Sequence, residues 1–165
     1  MRALDLRIEG TDGRPAALSV CCGLHAGSQG LSRRSLREAW RLRLPAGALA
    51  GYPDRDTGGE RVLLLTSGEI RNLVRHQVRE LDALAHGLGM RLAHARPQGA
   101  LWRQAMADER VALAVAHGIE ATFLGLSVPA PEGSALAREA HRLGMRVIPV
   151  VVLRTPPGTL RLAPP

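Results

Sequence analysis

A chain of 165 residues with 45 % hydrophobic content is long enough for one domain with a real core. No apolar run approaches the roughly 20 residues a helix needs to cross a bilayer, so no membrane-spanning helix is expected and a cytoplasmic location is. The net charge of +7 does not bring a nucleic-acid binder with it, because all 22 basic residues are Arg scattered among Glu and Asp, and aromatics make up only 2 %.

In chain order, strands are predicted at 2–9, 17–22, 47–52, 91–96, 121–128 and 146–153. Cys21 and Cys22 are neighbours on the second strand, so they point to opposite faces and form neither a disulfide framework nor a metal site. Helices are predicted over 67–87, from Asp108 to Gly118, and from Ser134 to Gly144. The first opens with Thr66 and Glu69 at capping-box spacing, followed by Ile70, Leu73, Val74, Val78 and Leu81 on one face. The last strand, Arg-Val-Ile-Pro-Val-Val-Val-Leu, is almost wholly apolar and reads as buried on both faces. Its Pro149 removes one ladder donor and marks an edge or a local break. The segment 155–165 has too many prolines to continue regular structure.

Two junctions repeat. His86-Gly87-Leu88-Gly89-Met90-Arg91-Leu92 and His141-Arg142-Leu143-Gly144-Met145-Arg146-Val147 both end a helix at Gly and feed a strand. Repeated βα units argue for an α/β protein with a parallel sheet. About six strands are too few for a full eight-stranded barrel of about 250 residues. The expected architecture is an incomplete (β/α) barrel or a curved parallel sheet over 1–154, with a Pro-rich tail over 155–165.

Three Gly-rich segments fall where strands end, and there βα loops converge. They are Cys22-Gly23-Leu24-His25-Ala26-Gly27, then Gly51-Tyr52-Pro53-Asp54 with Gly58-Gly59-Glu60-Arg61 behind it, then His94-Ala95-Arg96-Pro97-Gln98-Gly99-Ala100-Leu101-Trp102. His25 lies in a loop at a strand end, suited to proton transfer or to bonding the backbone. Asp54 follows Tyr-Pro and either joins a site or holds a turn. Arg61 is a candidate for holding an anionic group. His94 and Arg96 are two apart on a strand expected to be buried, so both face one side and line a pocket. Gln98 lies just beyond that strand, where it can hydrogen-bond a substrate or the loop. No paired spacing such as His-x-x-x-His appears, so no metal site is expected.

In order and content these segments resemble the signatures of the LamB/YcsF family, the A-type subunits of 5-oxoprolinase, as a shortened and divergent member. The family's Cys-Gly-Phe-His-Ala-Gly is Cys22 to Gly27 here, its His-Pro-Gly-Tyr-Pro-Asp is Leu49 to Asp54, and its Lys-Pro-His-Gly-Ala-Leu-Tyr is Arg96 to Trp102. The resemblance implies a barrel related to glycoside hydrolases and polysaccharide deacetylases. It also implies opening of the 5-oxoproline ring to glutamate, coupled to ATP hydrolysis and carried out with B- and C-type subunits. Nothing in the sequence matches a phosphate-binding P-loop, so ATP would act through those partners. On this resemblance His25 and Asp54 are catalytic candidates, and Asp5, Tyr52, Arg61, His94, Arg96 and Gln98 are binding candidates for a small carboxylated lactam. Asp5 is the one residue kept from the family's opening Asp-Leu-Asn-Cys-Asp segment. Leu49 and Gln98 stand where the family has His. Leucine has no proton-transfer capacity and Gln cannot titrate, which leaves a second reading, a catalytically degenerate homologue that serves as a binding or regulatory partner.

Overall fold

Strand-forming and helix-forming segments alternate along the chain, and a sheet rolled on itself is how such a chain buries the apolar faces of both. The computed structural model describes residues 6–153 and 160–164. Leu6–Glu9 (β1) and Pro15–Cys21 (β2) pair antiparallel, and Gln29–Arg41 (α1) follows. Next come Ala46–Ala50 (β3), Ser67–His86 (α2), His94–Pro97 (β4), Gly99–Ala107 (α3) and Glu109–Glu120 (α4). The chain ends with Val128–Ala130 (β5), Ala135–Arg142 (α5), Val147–Val152 (β6) and Leu160–Leu162 (β7).

The sheet order is β4-β3-β2-β1-β7-β6-β5. Its two ends meet. The Ala95 N–H donates to the Ser127 carbonyl at 3.0 Å, and the Ser127 N–H donates to the Ala93 carbonyl at 3.1 Å. This short parallel bridge between His94 and Ser127 nearly closes a barrel. The β2, β3 and β4 strands are mutually parallel, as are β5 and β6, whereas β1 and β7 lie side by side and run against their outer neighbours. The expected α/β barrel-like architecture is present, as a mixed sheet of seven strands.

The outward residues of the strands are mostly small (Ala46, Ala48, Ala50, Ala95, Ala130), and they pack with Leu36, Ile70, Val74, Val78, Val115 and Leu136 of the helices. Inside, Ile8, Ala17, Val150 and Leu160 form a second cluster, with Trp102 of α3 packed against it. The Thr66–Glu69 capping box forms as read, and Gly89 and Gly144 both take positive φ, 71° and 70°. Cys21 and Cys22 do part company, Cys21 joining Ala26 and Leu49 while Cys22 packs against the helix-facing core.

Four expectations need correction. The strand expected over 121–128 begins only at Val128, because α4 runs through Gly118 to Glu120. Gly118 is a packing residue rather than a stop: a Cβ there would stand 2.8 Å from the Arg71 carbonyl and the Val74 side chain of α2. The strand expected over 91–96 starts at His94. In β6 both Val151 and Val152 are exposed, so that strand is not buried on both faces. Finally, the proline-rich tail returns to the sheet as β7, whose three residues contain no proline. Pro149 sits where β6 changes partner, pairing with β5 through Pro149 and with β7 from Val150 onward. No helix among the described residues is long and apolar enough to cross a membrane.

Candidate functional site

Parallel pairing places residues of β2, β3 and β4 in rows across the barrel. One row is Ser19–Gly47–His94, and the next toward the strand ends is Cys21–Leu49–Arg96. Gly47 has no side chain, so the His94 imidazole lies across it. A Cβ at position 47 would come within 2.3 Å of that ring. The ring thereby reaches Ser19, with Nε2 2.9 Å from Oγ. Arg96 leans back from the next row, and its Nε donates to the same Oγ at 3.2 Å. The guanidinium carbon stands 5.6 Å from the centre of the Trp102 ring, within cation–π range.

All three polar residues are buried, with Ser19 at 0 %, His94 at 1 % and Arg96 at 2 % exposure. Burial pushes His94 down to about 3, and the Arg96 charge adds to the effect. Burial also lowers Arg96 to about 9, while the nearby Cys21 works the other way. At neutral pH Arg96 is thus a buried cation beside a neutral imidazole.

The second group lies at the strand ends. His25 is fully buried between Gly51 and Gly59, and a Cβ on Gly51 would stand 2.9 Å from its ring. Among the described residues neither ring nitrogen of His25 has a hydrogen-bond partner. Burial lowers His25 to about 4, and the Arg55 charge adds to the effect. The amide of Gln77 is bonded in both directions to the Gly51 backbone, at 2.8 and 3.1 Å.

Asp54 organises the loop above His25. It accepts from the Thr57 hydroxyl, from the Arg61 guanidinium at 2.8 Å and from the Arg61 backbone N–H at 3.3 Å. These contacts, the Thr57 hydroxyl first, hold its carboxyl below the ordinary range despite burial. Arg55 ties this loop to the first one by donating to the Gly23 and Gly27 carbonyls at 2.6 and 2.7 Å. Gln98 completes the assembly, its amide donating to the Gly58 carbonyl at 2.7 Å.

The predicted residues therefore fall into three places. His94 and Arg96 line the barrel, as their spacing requires. His25, Asp54, Arg61 and Gln98 form one loop assembly over the strand ends, where Asp54 and Gln98 bond loop atoms. Tyr52 is turned into the helix-facing core, its hydroxyl donating to Gln104 Oε1 at 2.6 Å, and burial raises its phenol. Asp5 lies outside the described residues. Ser19, Gly47 and Trp102 were not singled out from sequence. A lone Ser in the apolar run of β2, and a Gly inside a strand, were the available signals. No group of three or more His, Cys, Asp or Glu among the described residues is placed to hold a metal ion.

The LamB/YcsF family model matches residues 16–153. The A-type subunit of 5-oxoprolinase from Methylococcus capsulatus is 36 % identical over 129 residues, covering 78 % of this chain and 50 % of that protein. The protein of the same name from Syntrophobacter fumaroxidans is 38 % identical over 129 residues, covering 78 % and 51 %. The chain thus spans about half the length of these relatives. Among solved structures, the lactam utilization protein from Thermus thermophilus superposes with a TM-score of 0.80 at 26 % identity, over 98 % of this chain and 72 % of that one. With its sequence and its barrel both matched, the chain belongs to the LamB/YcsF family.

Proposed function

We propose that the barrel interior binds a small carboxylated lactam, 5-oxoproline, and that the chain acts in the cytoplasm in its ATP-dependent opening to glutamate, alongside B- and C-type subunits. Arg96 is the observation that carries this reading. A guanidinium at 2 % exposure sits where the local dielectric is low and its pull on an anion is strongest. Its lowered value of about 9 still leaves it protonated at neutral pH. Serine on one side and an indole face on the other orient the cation. A carboxylate is the small anion whose geometry matches such a planar fork, and the apolar residues around it suit a compact ring.

His25 is the acid–base candidate in this reading, since it is neutral at physiological pH and unpartnered among the described residues. Asp54, Arg61 and Gln98 act through the loop that covers it. The residues present do not fit a triphosphate: there is no P-loop pattern, and the chain contains no lysine. ATP is accordingly assigned to the partner subunits.

A second reading has its own support. Leu49 fills the row between Cys21 and Arg96 at 0 % exposure, and Gln98 is held by loop backbone. Neither position offers a titratable group, as a binding or regulatory homologue without turnover would have it. Calorimetric titration with 5-oxoproline, for the wild type and Arg96→Ala, tests the pocket. Saturable binding lost in the variant supports it, and absence of binding to the folded wild type overturns it. Reconstitution with B- and C-type subunits and ATP then separates the readings. Glutamate release supports the first, and binding without release supports the second.

A further inference from the structure

We infer that Ser19 is the positioning residue of the barrel interior, accepting from Arg96 Nε and donating its own proton to His94 Nε2, so that His94 is held as the Nδ1–H tautomer. Arg96 can only donate, so one lone pair of Ser19 Oγ is committed to it at 3.2 Å. The hydroxyl has a single proton, and the imidazole nitrogen 2.9 Å away accepts it. The sequence Arg→Ser→His then runs in one direction, and each bond polarises the next. In the opposite tautomer His94 would also donate to Ser19, leaving the hydroxyl proton to find another acceptor. At 0 % exposure such a loss is expensive.

The arrangement depends on register. Ser19 and His94 share one row with Gly47 between them, so a side chain from β4 spans a strand to reach β2. With Nε fixed by Ser19 and one face covered by Trp102, the guanidinium plane has a set direction. A guanidinium held in a set plane is oriented in advance for a charge-assisted contact with an anion. This consequence for binding rests on the reading of Arg96 as the substrate anchor; the tautomer does not.

The test is long-range 15N correlation of the imidazole rings in the full chain at pH 7, with His94→Gln to assign the signal. The expected wild-type pattern is a protonated Nδ1 and an unprotonated Nε2 at His94. In Ser19→Ala the fixed tautomer gives way to a mixture, and Ser19→Thr, which keeps the hydroxyl, restores it. Affinity for 5-oxoproline falls about tenfold in Ser19→Ala and recovers in Ser19→Thr, the loss of one charge-assisted hydrogen bond. An Nε2–H tautomer in the wild type, or a His94 pattern unchanged in Ser19→Ala, overturns the inference. If the wild type binds no 5-oxoproline, the carboxylate reading fails while the tautomer still decides the role of Ser19.

Discussion

Two imidazoles are buried neutral, and that has a consequence for stability at mild acidity. His25 is lowered to about 4 and His94 to about 3, each from an ordinary value of 6.5. Below 6.5 the unfolded chain takes up protons at these sites that the folded chain refuses, so stability rises with pH across this window and is lost as pH falls. Lowered carboxylates such as Asp54 and Glu69 act in the same direction, but only nearer their unfolded values of 3.8 and 4.5. Urea unfolding should therefore show stability falling between pH 6.5 and 5, by a few kcal/mol in all when pH 4 is reached. His94→Gln should roughly halve the slope between pH 6.5 and 5, since both rings share the unfolded value of 6.5, and a flat wild-type profile above pH 5 would show that these rings titrate freely. The partners of these residues were legible to different degrees. Spacing of two on a buried strand was enough to put His94 and Arg96 on one face. Ser19 was not found, because its contact crosses a strand at a row only register defines. Tyr52 came from motif likeness, which does not say whether a side chain faces the core, the loop or the pocket, while the position of Gln98 beyond the strand left substrate and loop open and the loop took it.

Elements with strong local signals form where the sequence indicates: the capping box starts α2, and the two repeated glycines follow α2 and α5. The α1 and α3 helices were both missed, although α1 opens on a Ser28 N-cap whose hydroxyl accepts from the Leu31 N–H at 3.3 Å. The α3 helix has no side-chain cap and follows β4 after a single residue, so its start reads as a loop. Tertiary contact replaces the cap. The Ala100 N–H donates to the Gly59 carbonyl at 2.9 Å, and Gly99 has φ +59° with that oxygen 2.4 Å from where its Cβ would be. Gly99→Ala would thus meet both a strained backbone and a collision with backbone, neither of which a rotamer can relieve. The expected loss is about 2–4 kcal/mol in chemical denaturation. Movement of the 51–66 loop should also raise protease cutting there. A loss under about 0.5 kcal/mol, in the range of an ordinary surface change, would show that α3 and the loop are not clamped together.

At the scale of the molecule, the continuity of the sheet depends on a segment whose composition argued against it. Leu160–Leu162 stands between β1 and β6, pairing parallel with one and antiparallel with the other. Prolines on both sides hid this strand, since composition over eleven residues outweighed a Leu-Arg-Leu alternation too short to register. Alternation nonetheless holds. Leu160 enters the inner cluster with Ile8 and Val150 at 1 % exposure, while Arg161 pairs with Glu9 across the strands at 2.7 Å. The ion pair is partly exposed and contributes little, so the leucine carries the packing of β7. Leu160→Ala should destabilise the protein by about 2–5 kcal/mol, the range for a large buried aliphatic truncated in a packed core. Arg161→Ala should cost less than about 1 kcal/mol. Because the same inner cluster supports Trp102, and Trp102 covers Arg96, Leu160→Ala should also weaken the 5-oxoproline binding proposed for the interior, although position 160 is outside the Ser19, His94 and Arg96 group. Urea unfolding and calorimetry on the two variants decide the matter. Equal, small losses would mean that β7 rests against β1 and β6 without being packed into the interior. A large loss confined to Leu160→Ala would mean that β7 and the interior around Ser19, His94 and Arg96 are one packed unit.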